Sequence, residues 1–315
     1  DSCIGGGGTG GGIETGTALG GAGGSATGDT TITGSTGGNS TSNTGGAGGD
    51  GGNAASTGGA AGLDHANGGA GSVPGGGGGG SGDRTGGGQS GGDSAAGQIR
   101  LTYTTDLNID GTVFTDAGNS TTSETFTVKV AVGSSTPATV YSTTTNADGT
   151  FTFTFGPNSI GTDDPVLFWV DGHATQTAST FVKAGGSGPI SGVELWDEHV
   201  IIRNDGATST SIADLSFYDS SEDDDIRYTA TTTGTDNVTV LGSSTTLYIN
   251  ASDTFEPNGN VTVQGSLLGG TAAAYTGSTT AYTLTFTGTT TGLTVGPLSG
   301  NAGDVVFNGS GGGWS

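Results

Sequence analysis

The first 97 residues hold most of the chain's 69 glycines. "GGAGGDGGN", Gly45 to Asn53, is three consecutive Gly-Gly-X triplets. No feature constrains the fold more, because a chain with so few side chains has almost no apolar surface to bury. Glycine also loses more conformational freedom on folding than any other residue. A flexible linker is the ordinary reading of such a composition. Collagen is excluded: Pro74 is the only proline before Gly97, and the triplet phase is repeatedly broken. An ordered tract has one remaining option, a lattice of three-residue-per-turn extended helices of the polyproline-II type. Such a helix makes no internal hydrogen bonds, so its N–H and C=O groups must pair with neighbouring helices. Ordering costs roughly 1–2 kcal/mol per residue, and a dense backbone hydrogen-bond network has to offset it. The expectation is a lattice over residues 5–95.

The composition changes at Gly97. Period-two alternation begins with "IRLTYT" (Ile99, Leu101, Tyr103). It continues in "TFTVKVAV" (Phe126, Val128, Val130, Val132) and "TFTFTF" (Phe151, Phe153, Phe155). Turn-rich stretches such as "NSTTS", "GSSTP" and "NADG" bound these runs, as expected of antiparallel strands with one buried face. "PVLFWVDG", Pro165 to Gly172, is continuously apolar and reads as a central strand. Residues 98–184 are therefore expected to form a β-sandwich. From Gly185 short strands recur between Gly, Asn and Asp turns, in "VELWDEHVIIRND", "TLYINASDTFEPNGNVTVQG", "YTLTFTG", "LTVG" and "VVFNGSGGGWS". Residues 185–315 are expected to form a β-helix-like solenoid, with a second sandwich as the alternative. No stretch has the apolar spacing and caps of an amphipathic helix. The expected class is thus all-β, almost without α-helix: a glycine-rich lattice (1–97), a sandwich and a solenoid.

Two resemblances accompany this reading. "GGGGGGSGDRTGGGQSGGDSAAGQIRLTYT" resembles the closing part of the glycine-rich domains of phage tail-fibre and bacterial surface proteins, where a glycine tract ends in a small-residue hinge ("DSAAG") and an apolar strand ("QIRLTYT"). "DSCIGGGGTGGG" is similar to the point where such a domain is entered, although the usual upstream strand is missing. The order "GTVFTDAG … NADGTFTFTF … PVLFWVDG" resembles immunoglobulin-like or transthyretin-like modules of very large secreted bacterial proteins. Both resemblances imply an extracellular, cell-surface protein.

The net charge of -23, from 29 acidic residues against six Lys and Arg, argues against nucleic acid and anionic membranes, which need a basic face. No apolar run is long enough for a transmembrane helix. Cys3 stands alone and is read as a small buried side chain. The start inside a glycine tract and the end on "FNGSGGGWS" suggest a processed chain or a segment of something longer.

Catalytic constellations are weak. GxGxxG matches in the glycine tract have no helix to open, and "GQSGG" at Ser90 has no strand-to-helix turn. His65, His173 and His199 lack zinc-type spacing. The acidic pairs Asp163–Asp164, Asp197–Glu198 and Glu222–Asp225 are what any acidic chain offers. No organic cofactor is expected, and Ca²⁺ is the one plausible ion. "DLNIDG" (Asp106, Asn108, Asp110) fits the opening of a calcium loop, D-x-N-x-D-G, but its twelfth position is Ala117. A strand ending in a turn is the competing reading. "SSEDDD", Ser220 to Asp225, reads as a solvated loop or a second cation site. Trp169 and Trp196 sit in apolar runs and read as core, with sugar stacking as the alternative. The sequons at Asn39, Asn119, Asn237, Asn250, Asn260 and Asn308 are glycosylation candidates.

The functional expectation is a non-enzymatic structural segment of an extracellular surface filament, a head-to-tail homopolymer. A tail-fibre or surface adhesin that binds a glycan or receptor is the alternative, and a carbohydrate-active β-helix enzyme is a third reading.

Overall fold

The computed structural model describes residues 4–5, 26–27, 60, 67–70, 92–93, 106–118, 120–121, 124–133, 137–186, 188–277, 282–310 and 313–314. The chain divides into two compact units, Asp1–Tyr103 and Thr104–Ser315. In the first, β1 (Ile4–Gly5) pairs antiparallel with β2 (Ala26–Thr27). The Gly69 amide donates to the Ala60 carbonyl at 2.9 Å. A Cβ on Gly92 would collide with the Gly69 carbonyl, so two glycine backbones touch there. The lattice expected over residues 5–95 otherwise lies outside the described residues.

The second unit is almost entirely β-structure. Its first eight strands are β3 (Leu107–Phe114), β4 (Thr127–Val132), β5 (Thr139–Thr144), β6 (Thr150–Phe155), β7 (Thr162–Asp171), β8 (Ala178–Gly185), β9 (Ile190–Trp196) and β10 (His199–Asn204). A single-turn helix, α1 (Ile212–Leu215), follows. The short strands after it are β11 (Tyr228–Thr231), β12 (Asn237–Val240), β13 (Thr246–Ile249), β14 (Thr254–Phe255), β15 (Asn260–Val263), β16 (Leu267–Gly269), β17 (Ala274–Tyr275), β18 (Thr283–Phe286), β19 (Thr291–Leu293), β20 (Asp304–Phe307) and β21 (Gly313–Trp314).

The alternating runs form two layers. β6, β3 and β9 make a three-stranded sheet, in that order. It shares a core with strands β4, β7 and β8 of a second sheet: Ile109, Val113, Phe151 and Phe153 meet Val128, Val130, Phe168 and Val182. The "NADG" turn joins β5 to β6. Gly149 takes φ +81° there, in the left-handed region that glycine tolerates, and Asp148 Oδ1 accepts from the Thr150 amide at 3.1 Å.

That second sheet is the backbone of the unit. It has seven strands in the order β16-β13-β10-β8-β7-β4-β5. From β5 to β8 the pairs are antiparallel. From β8 onward they are parallel. β8 therefore ends the two-layered part and is also the first rung of a solenoid of about five turns. It is buried on both faces, with Val182 in the two-layered core and Phe181 in the solenoid core. Lys183 Nζ on the same strand reaches Asp214 at 3.0 Å. Asp214 also closes a capping box with Ser211 at the start of α1.

The solenoid's second sheet stacks β12, β15, β18 and β20 in parallel, with β11 antiparallel at its start. Further rungs stack as β14 on β17 and β19 on β21. The stack follows a recurring hexapeptide: NVTVLG, NVTVQG, TLTFTG and DVVFNG, starting at 237, 260, 283 and 304. Its second and fourth residues point inward. Its second position forms the row Val238–Val261–Leu284–Val305, and its fourth the row Val240–Val263–Phe286–Phe307. Its last residue is a glycine at a corner where coils touch. A Cβ on Gly265 would collide with the Thr245 carbonyl, one on Gly288 with the Gln264 carbonyl, and one on Gly309 with the Gly288 carbonyl. Its first residue builds a polar ladder, in which Asn260 Nδ2 donates to Asn237 Oδ1 at 3.1 Å and the Thr283 amide donates to Asn260 Oδ1 at 2.9 Å.

Candidate functional site

The inner rows of the hexapeptide lead to the first candidate surface. Exposure along one row is 2% at Val238, 0% at Val261 and 3% at Leu284, then 44% at Val305. The other row runs 1% at Val240 and 0% at Val263 and Phe286, then 55% at Phe307. The same residue types in the same register are core in three coils and surface in the fourth, because no described coil lies beyond. Beside Val305 a cleft of about 170 Å³ opens into the core, lined by Leu267, Leu284, Phe286 and Leu298. At the other end of the stack, β5 forms the outer edge of the seven-stranded sheet. The large apolar side chains that stand exposed among the described residues are Val140 and Tyr141 of β5 and Val305, Val306 and Phe307 of β20. All of them therefore lie on the two outermost strands. No described strand pairs with the outer edge of either.

An acidic cleft of about 450 Å³ forms where β4 and β7 meet the loop before β11. Lys129 Nζ lies 2.6 Å from Asp171 Oδ1 and 3.0 Å from Asp223 Oδ2. Asp225 Oδ2 accepts from the Gly172 amide at 2.7 Å. Carboxylate oxygens of Asp171, Asp223 and Asp225 lie within 4.8 Å of one another. Burial disfavours the Lys129 ammonium, but the hydrogen bonds to Asp171 and Asp223 and their charges outweigh it and raise its pKa. The ammonium already serves as the counter-charge here. Half of this cluster comes from the "SSEDDD" stretch, whereas Lys129 and Asp171 are remote in sequence and carry no local motif.

The calcium-loop expectation meets a strand instead. β3 begins at Leu107, and its burial alternates through the motif. Leu107 and Ile109 take the buried face, which leaves Asp106, Asn108 and Asp110 on the exposed one. Asn108 Oδ1 accepts from Thr154 Oγ1 at 2.9 Å, and Asp110 Oδ2 accepts from the Gly192 amide at 3.0 Å. Extended backbone spreads these oxygens along the strand, and a calcium loop would have to gather them around one point.

The sequons divide in the same way. Asn237 and Asn260 are the rungs of the polar ladder. Asn308 is exposed just after β20, and Asn250 is half-buried on the outer face beside β13. Asn39 and Asn119 lie outside the described residues.

Trp169 is fully buried, as its apolar run suggests. Trp196 departs from that expectation. It is the last residue of β9 and stands half-buried over the outer face of the seven-stranded sheet. Beneath it, β10 and β13 present register-matched pairs: His199 with Thr246, Ile201 with Tyr248. The ring centroid of Tyr248 is 4.8 Å from that of Trp196, and His199's is 5.5 Å away. Gly118, at φ +85°, packs against the indole so closely that a Cβ there would lie 2.9 Å from its ring atoms. Trp196 Nε1 donates to Glu194 Oε2 at 2.9 Å. A groove of about 220 Å³ runs between β9 and β10, lined by Glu194, Trp196, Ile201, Arg203 and Asn250. Alternation alone could not reveal it, because Trp196 leaves the core only where the smaller sheet ends.

Compared with family models, characterised proteins and solved structures, the chain matches none.

Proposed function

We propose that this chain is a structural segment of an extracellular fibre that assembles end to end, the β20 edge of one copy meeting the β5 edge of the next. The observation that carries this reading is the abrupt exposure of the inner rows at Val305 and Phe307. Strand edges with exposed apolar residues are templates for pairing with another chain. A contact between two different ends is heterologous and propagates unless it closes a ring. The acidic, threonine-rich exterior and the resemblances to surface proteins support an extracellular setting.

The energetics favour reversible assembly. Fully burying a Val or Phe is worth about 1.5–3 kcal/mol, and the side chains at the two ends are already about half covered. Together they supply on the order of 5 kcal/mol, with about 1 kcal/mol from each new backbone hydrogen bond. Association costs on the order of 4–15 kcal/mol. Polymer is therefore expected to depend on concentration, and to increase with salt as repulsion between copies of charge -23 is screened.

The test is sedimentation velocity and electron microscopy of the full chain over a concentration series. Val306→Lys and Tyr141→Lys should each stop growth. Mixing the two variants should give dimers only, since each retains one working end. A wild-type chain that stays monomeric throughout, with or without salt, overturns the proposal.

A further inference from the structure

We propose that the groove between β9 and β10 binds a neutral pyranose ring, with Trp196 as the apolar wall and Glu194 and Asn250 as the hydrogen-bonding groups. This is independent of end-to-end assembly, because the groove lies on the outer face of the sheet, away from both outermost strands.

The argument starts from which groups are already used. Arg203 uses four of its five N–H groups within the chain: Nε and Nη2 meet the two oxygens of Asp205 at 2.8 and 2.7 Å. Its Nη1 donates to the Ser191 and Gly192 carbonyls at 2.8 and 3.1 Å. Thr180 Oγ1 donates to the Glu194 carbonyl at 2.5 Å. These contacts satisfy carbonyls of β9, which is an edge strand, and they fix the groove's floor. Among the described residues lining the groove Arg203 is the one cation, its charge is already paired with Asp205, and the chain's strong negative charge disfavours a phosphate, sulfate or carboxylate ligand further. What remains is an exposed carboxylate with Oε1 available, the Asn250 side chain, which bonds Asp253 and keeps its other polar atom for a ligand, and an aromatic ring at one wall. That combination matches a ring with hydroxyls around its rim and C–H groups on its face.

The aromatic wall is held in place before any ligand arrives. Gly118, Tyr248 and His199 pack around the indole, and Glu194 fixes its N–H. Pre-organisation of this kind lowers the cost of binding. Size narrows the choice: sites for drug-sized ligands run roughly 300–1,000 Å³, so a groove of about 220 Å³ takes a single ring. Among the described residues Glu194 is the one carboxylate lining it. Glycoside hydrolysis needs a second across the bond, so the groove is a binding site and not a hydrolytic one.

The probes are methyl β-glucopyranoside, methyl β-galactopyranoside and methyl N-acetyl-β-glucosaminide, with a methyl sialoside as the anionic comparison. Saturation-transfer NMR on the full chain should show transfer to ring C–H protons of at least one neutral glycoside and none to the sialoside. Glu194→Ala should weaken that binding about tenfold or more, and tenfold corresponds to about 1.4 kcal/mol. Trp196→Ala should abolish it while the far-UV spectrum is unchanged. If Trp196→Ala fails to fold, the Glu194→Ala result decides. No transfer to any neutral glycoside in the wild type, undiminished binding in Glu194→Ala, or equal transfer to the sialoside would overturn the proposal.

Discussion

β7 and β13 lie in one sheet, separated by β8 and β10, and they are stabilised in different ways. β7 is covered on both sides: Val166, Phe168 and Val170 face the two-layered core, and Leu167 and Trp169 face the solenoid core. Its partners in these cores come from many parts of the chain. β13 faces a hydrophobic core on one side only, with Leu247 and Ile249 inward and Tyr248 on the outer face beneath Trp196. Each coil contacts chiefly the coil before and the coil after. The difference teaches that one continuous sheet can join a cooperative block to an additive stack. Solenoid stability is approximately a sum of nearest-neighbour terms, whereas non-local two-sided packing is lost all at once.

The strongest test of that contrast is β8, the strand both parts share. Phe181→Ala should cost about 3–5 kcal/mol and lower the stability of both halves together. Denaturant unfolding followed by hydrogen exchange at β4 and at β15 would then show one common shift. A shift confined to one half would mean that β8 does not couple them. Leu284→Ala, in the third coil, should cost about 2–4 kcal/mol and act locally. Amides of β15, β18 and β20 should exchange faster while those of β4 and β7 keep their protection. Uniform loss of protection would show that the stack is not additive.

Asn260→Ala removes one rung of the polar ladder and should cost about 1 kcal/mol, with a small drop in melting temperature and no change in far-UV signal. His199 gives a pH-dependent effect at the junction. Burial lowers its pKa below the ordinary 6.5, outweighing its bond to the Asp197 carbonyl and the charges of Asp197 and Glu198. The folded state thus binds this proton less readily than the unfolded chain. Its contribution is fully present above pH 6.5 and is lost as pH falls through the lowered value. The melting temperature of the wild type should fall more steeply on acidification than that of His199→Gln, and parallel curves would remove His199 as the cause.

Much of this architecture could be read from particular residues. Phe151, Phe153 and Phe155 alternate in the sequence and are buried in the structure, and the run at Pro165 became an interior strand. Short strands and turn residues after Gly185 pointed to the solenoid. The hexapeptide at 237, 260, 283 and 304 carried a sharper signal, because a repeat of apolar positions ending in glycine specifies both the inward rows and the tight corner. What alternation could not reveal is which residues meet across long separations. Lys129, Asp171 and Asp223 share no motif, and only the packing of β4, β7 and the loop before β11 brings them together. The D-x-N-x-D-G stretch runs along β3 for a related reason. Leu107 and Ile109 supply a strand's alternation, and a buried face outweighs the pull of a loop motif without its closing acid.

The glycine at the end of each hexapeptide also bears on how such a chain can evolve. A coil that begins and ends at the same corner, with the same small residue, can be copied in frame and inserted without disturbing its neighbours. Each copy would lengthen the stack by one strand spacing, about 4.8 Å. Length can then change by whole coils, separately from the chemistry of either end.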